Sequence, residues 1–324
     1  MNRRRASIAG LVALAAALMP QFACAQGYPT RPIRLILPFG PGGVADVTAR
    51  IVTEKLGDKL GQRFVIENMP GAGGITAARA VLSSPPDGYT LALLSNGTAV
   101  SVSLFKSLKF DPLTDFAPVS SMGYFDFIFV TKKDSPYATL ADFIKAAKAK
   151  PGTLNVGTIN VGSTQNLSAQ LFKSTAGVDV TIVPFRSSPD VLIALLRGDI
   201  QMAIENYTAV QSHIADHAVV AVASSGSART SFMAEVPTVK EAGGGGFEAQ
   251  SWNAIFAPKG TPPEVINKLN AALREVLDQP DLKKRALELG IEAKASTPDE
   301  IMGRLKDDIG KWSAVIDRAG IEKQ

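Results

Sequence analysis

Short apolar runs alternate with longer stretches of helical periodicity along most of the chain. Residues 33–39, 64–68, 89–94, 125–131, 154–157, 180–184, 200–204, 219–223 and 252–257 are rich in branched and aromatic side chains and read as strands. Helical patterns fall between them. Residues 44–60 form one, and a second follows the glycine-rich turn at 71–74 and reaches Leu82. Thr139 stands before residues 140–148 with Asp142 three positions on, and Ser188 precedes Pro189 at the start of a stretch ending at Gly198. Further along, Thr261 and Glu264 have capping-box spacing ahead of Val265, Leu269, Leu273 and Val276, which share one helical face. Thr297 and Glu300 repeat the device before a final helix. This alternation predicts an α/β protein with mostly parallel sheets flanked by helices.

Composition narrows the class. With 324 residues, 46% hydrophobic and 20% charged, the chain is long enough for two domains and too apolar for disorder. Residues 1–25 read as a cleavable secretory signal peptide: Arg3, Arg4 and Arg5 precede the apolar stretch 8–19, Pro20 breaks it, and Ala23-Cys24-Ala25 offers a small-residue cleavage site. Cys24 lacks the aliphatic residue three positions earlier that lipidation wants. Cleavage would remove three arginines, lowering the formal net charge from +4 to +1, so no basic footprint for nucleic acid remains. It would also remove the single cysteine, leaving no disulfide, thiol nucleophile or thiolate metal ligand.

Two glycine-rich turns each join a strand to a helix, at 38–43 and 71–74. Glycine lets backbone approach a ligand closely, and a helix amino terminus beside it favours an anion; tight turns and close helix–sheet packing would need the same residues. Neither turn matches a dinucleotide fingerprint or a P-loop. Polar residues also follow strands at 95–98 and 160–166, where open α/β sheets bind ligands, although they would equally serve as helix caps. Signs of catalysis are sparse. His213 and His217 are the only histidines and have no third metal ligand nearby, Ser103 to Lys106 matches SxxK without its partner motifs, and no GxSxG elbow occurs. We therefore expect neither enzyme activity, nor a cofactor, nor a metal.

Longer blocks are more specific. Tyr28-Pro29-Thr30-Arg31-Pro32-Ile33-Arg34 leads into Pro38-Phe39, Gly42-Gly43, Asp46 and Ala49-Arg50; Val65-Ile66-Glu67-Asn68, Asp87-Gly88-Tyr89-Thr90-Leu91 and Asp115-Phe116-Ala117-Pro118-Val119 follow in order. Val183-Pro184-Phe185, Val236-Pro237-Thr238-Val239 and Ser251-Trp252 complete a colinear series. The chain resembles the Bug/TctC solute-binding proteins, receptors of tripartite tricarboxylate transporters, over essentially all of its length beyond residue 25.

That resemblance implies a two-lobed, type II Venus-flytrap periplasmic binding protein that is monomeric and closes on a small carboxylate for delivery to the transporter's membrane permease subunits. It implies lobe I from residues 26–122 and 226–324 and lobe II from 123–225, with crossovers near Gly123 and Ser225. Carried over by position, Phe39, Gly40, Gly42, Gly43 and Val44 cradle one carboxylate, with Ser95 and Thr98 nearby. Gly162, Ser163 and Thr164 approach from the second lobe, and Phe185, Arg186, Ser187 and Glu205 shape the far end of the ligand. The chain departs from the family pattern at Asn166, Gln201 and Glu205, where relatives carry His, Asp and Asp, and at 186–189, where they carry small residues. A sensory receptor built on the same closure, or less readily a secreted α/β hydrolase, are the alternative readings.

Overall fold

The computed structural model describes residues 27–324, and residues 31–324 form one unit. The signal-peptide reading lies outside the described residues. Among those described, nine strands and ten α-helices run in this order: β1 (Ile33–Leu37), α1 (Val44–Leu60), β2 (Phe64–Asn68), α2 (Ile75–Leu82), β3 (Thr90–Ser95), α3 (Asn96–Leu104), β4 (Phe116–Lys132), α4 (Leu140–Ala149), β5 (Asn155–Ile159), α5 (Thr164–Ala176), β6 (Thr181–Phe185), α6 (Ser188–Arg197), β7 (Met202–Asn206), α7 (Tyr207–Ala215), β8 (Val219–Ser224), β9 (Gln250–Pro258), α8 (Pro263–Leu277), α9 (Pro280–Leu287) and α10 (Pro298–Ala319).

The strands follow one hydrogen-bonded path, β2-β1-β3-β9-β4-β7-β5-β6, with β8 added on β4. Two parallel triplets, β2-β1-β3 and β6-β5-β7, lie at its ends. Every antiparallel pairing involves β4 or β9. The sheet is thus mixed where sequence alternation alone suggests parallel, because two long strands carry the chain between the triplets.

Strand β4 sets the arrangement. Its residues 116–126 pair with β9, and 127–132 pair with β7 and β8. Since β9 is antiparallel to both β3 and β4, β4 runs parallel to β3 and leaves the first triplet beyond its carboxyl end. Because β7 runs antiparallel to β4, the second triplet points back toward the first. The two sets of strand carboxyl ends therefore face one gap. Ser95 closes β3 opposite Asn253, which pairs with Gly123, while Asn206 closes β7 opposite Phe127. Four residues of β4 separate these levels, or about 13 Å at the rise of an extended strand.

Sequence pattern explains much of the local structure. Thr139 with Asp142 and Thr297 with Glu300 form capping boxes before α4 and α10, as their spacing predicts. The box expected at Thr261 does not form: its hydroxyl donates to the Pro258 carbonyl at 2.8 Å, and α8 starts after Pro262 without a side-chain cap. Proline at the next two positions already supplies helical φ and removes a donor that would need capping. Likewise Ser187, rather than Ser188, caps α6. His213 lies in α7, but the helix ends at Ala215 and His217 has φ +55°, so the pair does not share a helix face.

The core crosses between the triplets. Phe129, Phe172 and Phe247 meet edge-to-face in the second half, and Phe143 joins them tilted against Phe172. The same buried cluster continues to Leu104, Trp252 and Trp312 in the first. Residues 226–249 pack against the second half: Met233 and Val236 join Val191 and Val219, and Phe247 faces Phe129 and Phe172. Ser225 fixes the chain just before that excursion. Its hydroxyl accepts from the Phe127 N–H and donates to the Ala249 carbonyl, both at 2.8 Å, in a fully buried setting. Ser225→Ala should cost about 2 kcal/mol by orphaning both groups, read as a lower urea midpoint; an unchanged midpoint would show that the stitch contributes nothing.

Candidate functional site

Parallel strands deliver their helices amino-terminus first to the carboxyl edge of the sheet. Here α1, α2 and α3 start at the ends of β1, β2 and β3, and α5, α6 and α7 at the ends of β5, β6 and β7. Because the triplets face one another, the amino-terminal ends of both sets of helices open toward the same gap. Such ends carry unpaired N–H groups and partial positive charge.

On the first side, Gly43 precedes α1 without any side-chain cap. The loop before it is held from below. Asp46 accepts from Gly42 N–H at 3.0 Å, from Arg50 Nε and Nη2 at 2.9 and 3.0 Å, and from Asn68 Nδ2 at 3.0 Å. Asn68 also donates to the Phe39 carbonyl. Arg50, first, and these donors hold Asp46 down at a pKa of about 2 despite burial, so the anchor persists until strong acid. The Gly42 N–H is therefore spent on the fold, which leaves Gly43 and Val44 as the backbone facing outward. Gly40, Gly42 and Gly43 are exposed. Ser95 and Thr98 cap α3 reciprocally, with Ser95 Oγ accepting from Gly97 N–H and Thr98 Oγ1 from Ser95 N–H. The Phe39 ring lies close to Gly97, so these predicted residues come together.

On the second side, Ser163 caps α5 by accepting from Asn166 N–H at 3.1 Å, with Thr164 as the first helical residue. Gly162 has φ +78°, and a β-carbon there would overlap the side chain of Leu104, the last residue of α3, at 2.4 Å, so the loop before α5 packs against the carboxyl end of α3. Ser187 caps α6, and Ser188 Oγ donates to Glu205 Oε2 at 2.8 Å. Glu205 ends up at the junction of α5, α6 and α7. It is wholly buried, and burial raises its pKa to about 7, although Ser188, Gln165 and the Asn206 N–H favour ionisation. Phe185 ends β6, and Arg186 stands next to the Ser187 cap. They border a groove of about 600 Å³ with Val161, Asp190, Ile193 and Arg197, and Arg186 is exposed.

Sequence reasoning passed over two residues here: Ser188 lies one position from the predicted Ser187, and Asn206 ends a strand as Ser95 does, a signal that could have found it. Gln165 falls within the 160–166 stretch. Asn96 is buried and donates to the Gln250 carbonyl at 3.2 Å, tying α3 to the start of β9. Among the described residues, no group of three or more His, Cys, Asp and Glu could hold a metal ion.

The model of the tripartite tricarboxylate transporter family receptor matches residues 48–321. The chain belongs to that family. It is similar to protein BugT of Bordetella pertussis, 35% identical over 322 residues, which covers 99% of this chain and 98% of that protein. Among solved structures, R. palustris Rpa4515 with adipate superposes with a TM-score of 0.80 at 32% identity, covering 91% of this chain and 99% of that one. MatC of Rhodopseudomonas palustris with bound malate gives a TM-score of 0.75 at 33% identity, covering 89% and 100%. The receptor fold is accordingly the two-lobed periplasmic-binding-protein fold, and the family is one of solute-binding receptors.

Asp126 sits where the receptor's long strands cross, paired with Gln250 at the last register position of β4 and β9. Its carboxyl is almost fully buried against Gly226, and burial, with smaller contributions from Glu292 and Glu248, raises its pKa to about 6 against a weak hydrogen bond from Gln250. A raised carboxyl pKa favours the protonated fold, so stability is greatest below pH 4 on this account and declines as pH rises through 6. Asp126→Asn should be more stable than the parent by about 2 kcal/mol at pH 8 and nearly equal at pH 4, measured by denaturant titration at both values. The opposite ordering would mean that the ionised carboxylate holds the crossing together.

Proposed function

We propose that this receptor captures a small organic carboxylate in the gap between its two halves and hands it to the membrane permease subunits of a tripartite tricarboxylate transporter. The observation that carries this reading is the facing of two strand carboxyl edges, each carrying a set of helix amino-terminal ends, at levels of β4 about 13 Å apart. Preorganised N–H groups solvate a carboxylate without a buried counter-charge, which would itself be costly to leave unpaired. Rpa4515 with adipate and MatC with bound malate support the ligand class.

Residues 31–122 with 250–324 act as one lobe and 126–249 as the other, hinged at β4 and β9. Phe39, Gly43, Val44, Ser95 and Thr98 face the ligand from the first lobe; Gly162, Ser163, Thr164, Ser187 and Glu205 face it from the second. Phe185 and Arg186, at the end of β6, shape the far end of the ligand. The protein acts as a monomer in the periplasm, exported by its leader, and closure is driven by the ligand's preference for the closed state.

Gly43 provides the test. Its φ is −79°, and a β-carbon there would meet nothing within 4 Å. Gly43→Val should leave the melting temperature of the free protein unchanged while removing the stabilisation produced by adipate or malate. For the parent, a ligand at a hundred times its dissociation constant should add about 2.7 kcal/mol. Retained stabilisation in the variant would move the ligand away from the α1 terminus. A carboxylate panel without effect on the folded parent would overturn the ligand class.

A further inference from the structure

Glu205 is the one carboxyl among the described residues that is wholly buried at the junction of three helix starts. It ends β7 beside Asn206, which leads into α7, and Ser188 at the first position of α6 donates to its Oε2 at 2.8 Å. Gln165, in the first turn of α5, reaches it from the third helix. Its second oxygen, Oε1, is buried without a hydrogen-bond partner, and so is Asn206 Oδ1. An ionised carboxylate held this way would leave a charged acceptor unsatisfied at a place where folded proteins almost always supply a partner.

The surroundings offer no cation to compensate it. The first turn of α5 is Thr164, Gln165 and Asn166, and β5 carries no charged residue. At the start of α6, Asp190 is bonded by Ser187, and Arg186 is exposed on the outer groove. On β4 the neighbouring acid is Asp126, whose carboxyl faces Gly226 and Gln250, and α7 begins with Tyr207. None of these exerts a charge effect on Glu205; burial against hydrogen bonding sets its behaviour, and burial wins, with a pKa of about 7.

We propose that Glu205 is a proton-carrying specificity residue: in its neutral form, Oε1–H donates a hydrogen bond to the distal carboxylate of the ligand, so that a dicarboxylate is bound together with one proton. This rests on the carboxylate-receptor reading above. A dianion brought against an ionised Glu205 would place two like charges in a buried site, which is relieved when one oxygen takes a proton from solvent and shares it with the ligand. No bond in the ligand breaks, and release to neutral or alkaline surroundings returns the proton. Neutral Glu205 also turns an unsatisfied acceptor into a donor with a partner. A monocarboxylate that leaves the second side unfilled gains nothing from this proton.

The test is calorimetric titration of the parent with adipate and with malate at about pH 8, in two buffers of different ionisation enthalpy. Roughly one proton should be taken up per ligand, and affinity should fall about tenfold for each pH unit above 7. In Glu205→Gln, whose amide keeps a donor at that position without titrating, proton uptake should vanish and affinity should become independent of pH. A folded state is confirmed by its melting temperature, and the parent's proton count stands whatever the variant does. Binding by the parent without proton uptake, or affinity that rises with pH, would overturn the role of Glu205 while leaving the carboxylate-receptor reading intact. Failure of both acids to bind would overturn both.

Discussion

One strand shared by two sheets governs this molecule. The seventeen residues of β4 pair first with β9 and then with β7 and β8, and their direction decides where each parallel triplet points. Parallel strands place helix amino-terminal ends at their carboxyl edge, so fixing the direction of β4 fixes the facing of the two binding edges. Pro118 lies near its start, pairing with β9 shifts register twice before Gly123, and pairing with β8 shifts once more between Phe129 and Val130, so the strand is irregular on both sides. A crossing strand that must bend benefits from a place where its ladder is already interrupted. Gly123 is confined by Ile291 and Glu292, whose backbone pairs with Tyr124, so the segment after α9 braces the same point.

Two carboxyls on opposite sides of the gap show how differently the fold treats charge. Asp46 is surrounded by donors and a guanidinium and stays ionised, which lets it hold the 39–43 loop rigid. Glu205 has one serine hydroxyl at bonding distance, no paired cation, and a free oxygen. The loop before α1 is therefore anchored without a ligand, while buried polar atoms without a partner lie on both sides, Asn96 Oδ1 on the first and Glu205 Oε1 and Asn206 Oδ1 on the second. The helix α10 links the two, packing on α3 and reaching α5 through Arg318 and Ser174, while Arg304 and Asp308 secure Gln250 and Trp252 at the start of β9.

Much of this was legible in the sequence, and the gaps have physical reasons. Strands carrying branched residues, such as β1 and β3, and helices with explicit caps, such as α4 and α10, announce themselves locally. The first half of β4 does not: Pro118, Ser120 and Ser121 are poor strand formers, and only pairing with β9 and the Ser120 and Ser121 bonds to residues 294 and 296 keep them extended. The second-lobe site was half legible. Ser163 follows a strand end and its cap can be read from spacing, whereas the cap of α6 falls on Ser187 and not on Ser188, to which the spacing points. Which side of a strand end a side chain takes depends on neighbouring strands that no local pattern contains. The same reason hides the attachment of residues 226–249 to the second half, since the contacts of Phe247 with Phe129 and Phe172 join positions far apart in the chain.

The central claim is that helix amino-terminal ends from both halves hold one carboxylate ligand between them. The most direct measurement is a crystal structure of the protein with adipate. The account predicts one carboxylate at about hydrogen-bond distance from backbone N–H groups at the start of α1 or α3, and the other beside Ser163, Ser188 and Glu205. Adipate seated in the outer groove with Arg186 and Ile193, or held by only one half while the other stays remote, would contradict it.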